Sequence, residues 1–231
     1  MLEIACMVDG GKRSPANDDR AAVNKQLVLQ GFYSETVKGP SILVVCDGVG
    51  GEAYGYEAAE ISANIFSNLS GAQLNADTIK ENIEKANEAV IAAQKKDFKH
   101  SKMSTTIAGL YINENDFIAF NVGDSRVYRY RTPYIMQLST DHSLPEQKNV
   151  ITRYLGGCYS KPDIVEGIGK FFDKDVFALC SDGVWGSLDS DDFEDILSQD
   201  TGLEEKCKAL VSLALKKGST DNLSIIIARR I

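Results

Sequence analysis

Two strongly apolar runs in this chain each end in an Asp-Gly step: Ile42-Leu43-Val44-Val45-Cys46 runs into Asp47-Gly48, and Val176-Phe177-Ala178-Leu179-Cys180-Ser181 into Asp182-Gly183. A run this apolar is expected to form a strand in the interior, so its terminal carboxylate is carried to the mouth of the core. Asp18-Asp19 near the start and Asp221-Asn222 near the finish add two further acidic clusters. If the four converge, their carboxylates repel one another unless cations neutralise them. Oxygen-only ligands in that number point to two hard divalent ions, Mg²⁺ or Mn²⁺, with water completing their shells.

The bulk properties agree with an ordinary globular chain. The 231 residues suffice for a sizeable core, and 43% of them are apolar. The formal charge of −8 argues against a nucleic-acid partner, which normally meets a basic face. No apolar window is long enough for a membrane-spanning helix, and Met1-Leu2-Glu3-Ile4-Ala5-Cys6 lacks the features of a secretory signal, so a cytoplasmic protein without a membrane partner is expected. Five cysteines, with no Cys-x-x-Cys pair, read as small core residues in a reducing compartment.

The hydrophobic pattern predicts strands over residues 3–8, 27–32 and 41–46, then two helices. Ala58, Ile61, Ile65 and Leu69 mark the first helix, with Gly71 as its end; Ile79, Ile83, Ala86, Val90 and Ile91 mark the second, capped by Asn75 or Asp77. Strands resume over residues 105–112, 117–122, 125–131 and 134–138, in a β-rich stretch that runs to Leu179. A short helix around Phe193–Leu197 with Ser190 as N-cap precedes a longer one through Leu203, Cys207, Leu210, Val211 and Ala214, which stops at Lys216-Lys217-Gly218. A strand over residues 223–228 closes the chain. This order is not a βαβ alternation. It predicts an α+β fold, a four-layer αββα sandwich of two antiparallel sheets between helix pairs, as a single domain over residues 1–231.

Each acidic turn also has a plain reading. Asp47-Gly48-Val49-Gly50-Gly51 is a tight turn in which the Gly48 carbonyl can face a ligand. Asp221-Asn222 and Asn17-Asp18-Asp19 are common turn residues. Asn121-Val122-Gly123-Asp124-Ser125-Arg126 reads as a hairpin, and Asp124 either caps its turn or stands at a metal. Trp185, the single tryptophan, reads as a core or rim aromatic, His100 as solvent-facing and His142 as structural. Two bound ions would activate water against a phosphoryl group with no Ser or Cys nucleophile, and Lys12 and Arg13 are placed to clamp phosphate oxygens.

The ordered set Asn17-Asp18-Asp19, residues 45–51, Ser104-Thr105-Thr106, residues 122–126, Asp141-His142-Ser143, residues 150–156, residues 179–185 and Asp221-Asn222-Leu223-Ser224 resembles the metal-dependent protein phosphatase 2C family, in its bacterial form, over nearly the whole chain. The resemblance implies hydrolysis of phosphoserine and phosphothreonine in proteins, opposing a Ser/Thr kinase, by a water or hydroxide bridging two ions. It assigns Asp47 as the bridging ligand and Gly48 as a carbonyl ligand. Asp182 and Asp221 fall at the other ion, Asp19 and Asp18 at metal waters, and Asp124 at a third ion. The sequence departs from the family pattern in places. Asp18 stands for a longer Glu or Gln, Ser104 for Gly, and Val49 for a histidine proposed as acid in some members. The phosphate-binding Arg position is Ser14, with Arg13 one residue back. The flap segment between Ser143 and Val150 is short, which predicts an open cleft and a different mode of substrate selection. A regulatory pseudophosphatase and a two-metal small-molecule phosphoesterase are the alternatives.

Overall fold

The structure is a computed structural model that describes residues 1–12, 17–49, 54–157 and 165–231; for residues 148, 149 and 165–167 it describes the backbone alone. The chain opens with β1 (Leu2–Asp9), β2 (Arg20–Val23), β3 (Gln26–Val28), β4 (Gly31–Val37) and β5 (Ser41–Cys46), followed by helices α1 (Gly55–Ser67) and α2 (Ala76–Gln94). Next come β6 (Ile107–Ile112), β7 (Asp116–Val122), β8 (Arg126–Arg131), β9 (Tyr134–Gln137), β10 (Ser143–Leu144), β11 (Gln147–Ile151), β12 (Val165–Lys170) and β13 (Val176–Cys180). Helices α3 (Asp182–Trp185), α4 (Ser190–Ser198) and α5 (Leu203–Lys216) lead to β14 (Leu223–Arg230).

Ten antiparallel pairings build two six-stranded sheets, β4-β1-β14-β13-β8-β9 and β12-β7-β6-β5-β2-β3. Cys6, Val8, Leu179 and Ile226 of the first sheet meet Ala21, Leu43, Val45 and Leu110 of the second in the central core. On the outer face of the second sheet, Ala59, Ala63 and Phe66 of α1 and Ile79 and Ile83 of α2 cover Val44, Cys46 and Phe120. On the outer face of the first, Phe193 and Leu197 of α4 and Cys207, Leu210 and Val211 of α5 cover Ala178, Cys180, Ile225 and Ile227. The four-layer αββα sandwich is thus as expected. It also explains why β5 reads as an unbroken apolar run: both faces are covered, so each of its six residues is buried.

Four local expectations are corrected and one strand, β2, is added. The first helix ends at Ser67 rather than at Gly71. Residues 27–32 are not one strand, because the chain turns at Leu29-Gln30 into Gly31, which has φ +91°. β3 and β4 then lie at the edges of different sheets. The strand β2, only four residues long, was not predicted; its apolar stretch is too short to show a period. Gly123-Asp124-Ser125 is not a hairpin turn, since β7 belongs to the second sheet and β8 to the first. The chain crosses the core there, and Gly123 takes φ +119° with Thr106 so close that a Cβ would lie 2.6 Å from its side chain. At α4 the N-cap is Asp189, one residue earlier than expected, in a reciprocal capping box with Asp192. At α2 the cap is Asn75, whose side chain accepts from the Thr78 N–H.

The helix cap yields a direct test. Asp189→Ala is expected to cost about 1 kcal/mol of unfolding free energy, and Ser190→Ala less than about 0.5 kcal/mol, by urea denaturation. Equal effects would return the cap to Ser190.

Candidate metal and phosphate site

The strand ends bring the acidic turns to one end of the sandwich. Beyond β5, the Asp47 N–H donates to Thr106 Oγ1 at 3.1 Å. Its carbonyl accepts from the Thr105 hydroxyl and the Thr106 N–H, each at 2.8 Å. Gly48 then bridges to Thr105, and the Val49 N–H reaches the Ser104 carbonyl. A Cβ on Gly48 would lie 2.6 Å from the Gly55 carbonyl carbon and 2.9 Å from Asp18 Cβ, so glycine lets three segments meet there. Beyond β13, the Ser181 hydroxyl donates to Asp19 Oδ2 at 2.8 Å and accepts from the Ser224 N–H at 3.0 Å. Gly183 lies under Asn222, where a Cβ would stand 1.9 Å from the Asn222 carbonyl oxygen.

Asn222 ties the arrangement together, a role its place in a common turn motif did not disclose. Its Oδ1 accepts from the Asp18 N–H, and its Nδ2 donates to the Gly10 carbonyl, each at 2.9 Å. Thus the loop before β2, the end of β1 and the start of β14 share one side chain. Asp18 in turn accepts the Tyr56 N–H through Oδ1 at 3.1 Å, so one of its oxygens serves the first turn of α1. Asn121, fully buried, donates to the carbonyls of Gly123, Ser125 and Thr140 and fixes the crossing that carries Asp124.

The carboxylates are close enough to act on one another's charge. Burial holds Asp47 well above the usual carboxylate range, and repulsion from Asp19, Asp182, Asp124 and Asp221 adds to it. Burial lifts Asp19 to about 7, with Asp182 and Asp221 adding, while the Ser181 hydroxyl pulls it partly back. Asp124 is likewise lifted to about 7, by burial first and then by Asp182. Its Oδ1 is buried without a hydrogen-bond partner among the described residues. The neighbouring arginines are engaged elsewhere: Arg20 donates to the Asn17 and Asp19 carbonyls and to Glu60, and Arg126 to Asp141.

This donor set fits hard cations. Asp47 repelled by four neighbouring carboxylates, and Asp124 with an orphaned oxygen, are what a divalent ion would relieve. Among the described residues no three acidic, His or Cys side chains close around a single point. Mg²⁺ and Mn²⁺ keep several waters and take one or two carboxylates each.

Other predicted residues lie elsewhere. The exposed Lys12 donates its Nζ to the Leu215 carbonyl at the end of α5, at 3.3 Å. Arg13 falls outside the described residues. His100 does not simply face solvent: its ring lies 4.0 Å from that of Tyr54, and Nδ1 is 3.4 Å from Glu57. His142 accepts the Gly123 N–H through Nδ1 at 3.1 Å; burial, then Arg153, lowers it to about 4, so it is neutral near pH 7. The four described cysteines are buried and unbridged, and Cys158 lies outside the described residues.

The sequence profile of protein phosphatase 2C matches residues 20–217. The chain belongs to that family. It is 26% identical to the serine/threonine phosphatase stp of Listeria welshimeri over 236 aligned residues, covering 92% of this chain and 93% of that protein. The Streptococcus agalactiae serine/threonine phosphatase structure superposes with a TM-score of 0.81 at 25% identity, over all of both chains. The catalytic domain of the phosphatase PstP, solved with two manganese ions, superposes with a TM-score of 0.82 at 22% identity, over 99% of each chain, and so shares the fold.

The raised carboxylates fix the sign of a pH effect. Asp19 and Asp124 titrate near 7 when folded, against an ordinary value of 3.8. The native metal-free protein therefore holds extra protons between these values, and this contribution to stability falls as pH rises through that window. A cation must displace those protons. The rise in Tm on adding Mn²⁺ is accordingly expected to be larger at pH 8 than at pH 5; an equal or smaller rise at pH 8 would contradict the assignment.

Proposed function

We propose that this protein is a metal-dependent serine/threonine protein phosphatase that hydrolyses phosphoserine and phosphothreonine on proteins. The observation that carries the reading is the meeting of Asp19, Asp47, Asp124, Asp182 and Asp221 at one end of the sandwich, each reached by a separate turn. Membership of the protein phosphatase 2C family supports the same chemistry.

In this reading Asp47 and the Gly48 carbonyl, with Asp182 and Asp221, hold two Mg²⁺ or Mn²⁺ ions. Asp19 and Asp18 orient waters around them, and Asp124 serves a third. When bound, such ions neutralise charge on the attacked phosphoryl group and lower the pKa of water. The chain's own part is to preorganise the oxygens. Thr105 and Thr106 fix the Asp47 backbone, Ser181 aims Asp19, and Asn222 locks the Asp18 and Asp221 loops together. Arg13 is the phosphate clamp, since Lys12 is drawn to the α5 terminus. His142, neutral and pinned to Gly123, holds the crossing turn in place.

The whole chain acts as one catalytic domain on phosphorylated proteins, opposite a Ser/Thr kinase, in the cytoplasm. Among the described residues no helix is long and apolar enough to cross a membrane. Only the small β10–β11 ribbon lies between His142 and Thr152, and the Thr152 N–H returns to the His142 carbonyl at 2.7 Å. With so little chain beside it, the cleft admits substrate openly and selects it by other surfaces.

The test is turnover of a phosphothreonine peptide with Mn²⁺ and with EDTA. Activity is expected with Mn²⁺ alone, and Asp182→Asn is expected to lower kcat by at least about a hundredfold while remaining folded. A folded Asp182→Asn protein with wild-type turnover, or a wild-type protein that turns over nucleotides but no phosphopeptide, would reject the reading.

A further inference from the structure

The turns that carry Asp124 and Asp182 come from different parts of the chain, yet one side chain spans both. Arg126 is the first residue of β8, two positions after Asp124, and its backbone pairs with Cys180, two positions before Asp182. Its guanidinium lies over the indole of Trp185, 3.4 Å from the ring centroid, and Trp185 is the last residue of the single turn of helix that Asp182 begins. The guanidinium is held in this plane on all its edges. Nε and Nη2 donate to the Asp141 carboxylate at distances from 2.6 to 3.1 Å, and Nη1 donates to the Tyr128 hydroxyl at 2.8 Å. Asp141 is itself fixed by Gln137 Nε2 at 2.8 Å.

The indole, by contrast, is held by its faces. Its Nε1 is buried with no hydrogen-bond partner among the described residues, and the ring packs against the core beneath α4 and α5. Over the ring lies the Arg126 cation, an attraction that strengthens when water is excluded. Only Arg can lie flat on the ring and accept bidentate clamping by a carboxylate at the same time.

We propose that the Arg126–Trp185 stack, clamped by Asp141, is a positioning device that sets the spacing of Asp124 and Asp182 and so tunes divalent-cation affinity. The inference rests on the metal-site reading above, and it concerns residues that touch neither cation nor substrate. Asp124 and Asp182 repel one another, which opposes their close approach when no cation lies between them. The stack ties them from behind, so the oxygens are already close when a cation arrives.

Calorimetric titration with Mn²⁺ alone, without substrate, tests this, with Tm in EDTA recorded for each variant. Trp185→Phe keeps an aromatic face and loses no hydrogen bond, so its affinity should stay within about twofold of wild type. Trp185→Leu keeps apolar packing but not the face, and Arg126→Lys keeps the charge but not the plane. Each should weaken Mn²⁺ binding about tenfold, equivalent to roughly 1.4 kcal/mol, while remaining folded in EDTA. Wild-type affinity in Trp185→Leu or in Arg126→Lys overturns the proposal, and so does a loss in Trp185→Phe equal to that in Trp185→Leu. If Trp185→Leu fails to fold, Arg126→Lys decides. Failure of the wild-type protein to bind Mn²⁺ at millimolar concentration is a different outcome, which overturns the metal site along with the device.

Discussion

Like charges buried at close quarters are the constraint from which the rest of this molecule can be understood. Asp19, Asp47, Asp124, Asp182 and Asp221 share one end of the sandwich, and burial together with mutual repulsion raises Asp19, Asp47 and Asp124 above the ordinary carboxylate range. Such a cluster opposes folding in the absence of a counter-charge. The surrounding structure holds it together with hydrogen bonds that fix backbones: Thr106 on Asp47, Ser181 between Asp19 and Ser224, Asn222 between Asp18 and Gly10. The cluster is thus maintained at a cost, which a pair of divalent cations would offset.

Much of the architecture was legible because the hydrophobic pattern is strong where it matters. β5, β13 and β14 are buried on both faces, so they appear as long apolar runs whose ends point at the site. Capping and glycine signals located α2, α4 and α5 closely, with Asp189 displacing Ser190 because the reciprocal bond with Asp192 forms from the earlier position, whereas α1 ends at Ser67, short of Gly71, and α3 was not anticipated. What stayed hidden depends on partners far away in sequence. β2 is too short to carry a period and gains its identity from β5. The Gly123-Asp124 turn looks like a hairpin locally, and only the assignment of β7 and β8 to different sheets makes it a crossing.

The candidate site follows the same division. Two of its acids stood out, Asp47 and Asp182, because each ends an apolar run in an Asp-Gly step; the others gained meaning only beside them. Its supports did not stand out. Asn222, Asn121 and Ser181 are ordinary polar residues in ordinary turns, and their importance comes from reaching across 204, 19 and 162 positions of chain respectively. Trp185 showed itself in the sequence as a lone aromatic beside a turn; its engagement with Arg126 exists only once β8 lies beside β13.

The central claim, that these turns form one dinuclear cation site, is tested most directly by anomalous scattering from a crystal soaked in Mn²⁺. Two strong peaks are predicted within coordination distance of the Asp47, Asp182 and Asp221 carboxylates, with Asp47 shared between them. No peak at that end of the sandwich at millimolar Mn²⁺, or peaks confined to other surface carboxylates, would contradict the account.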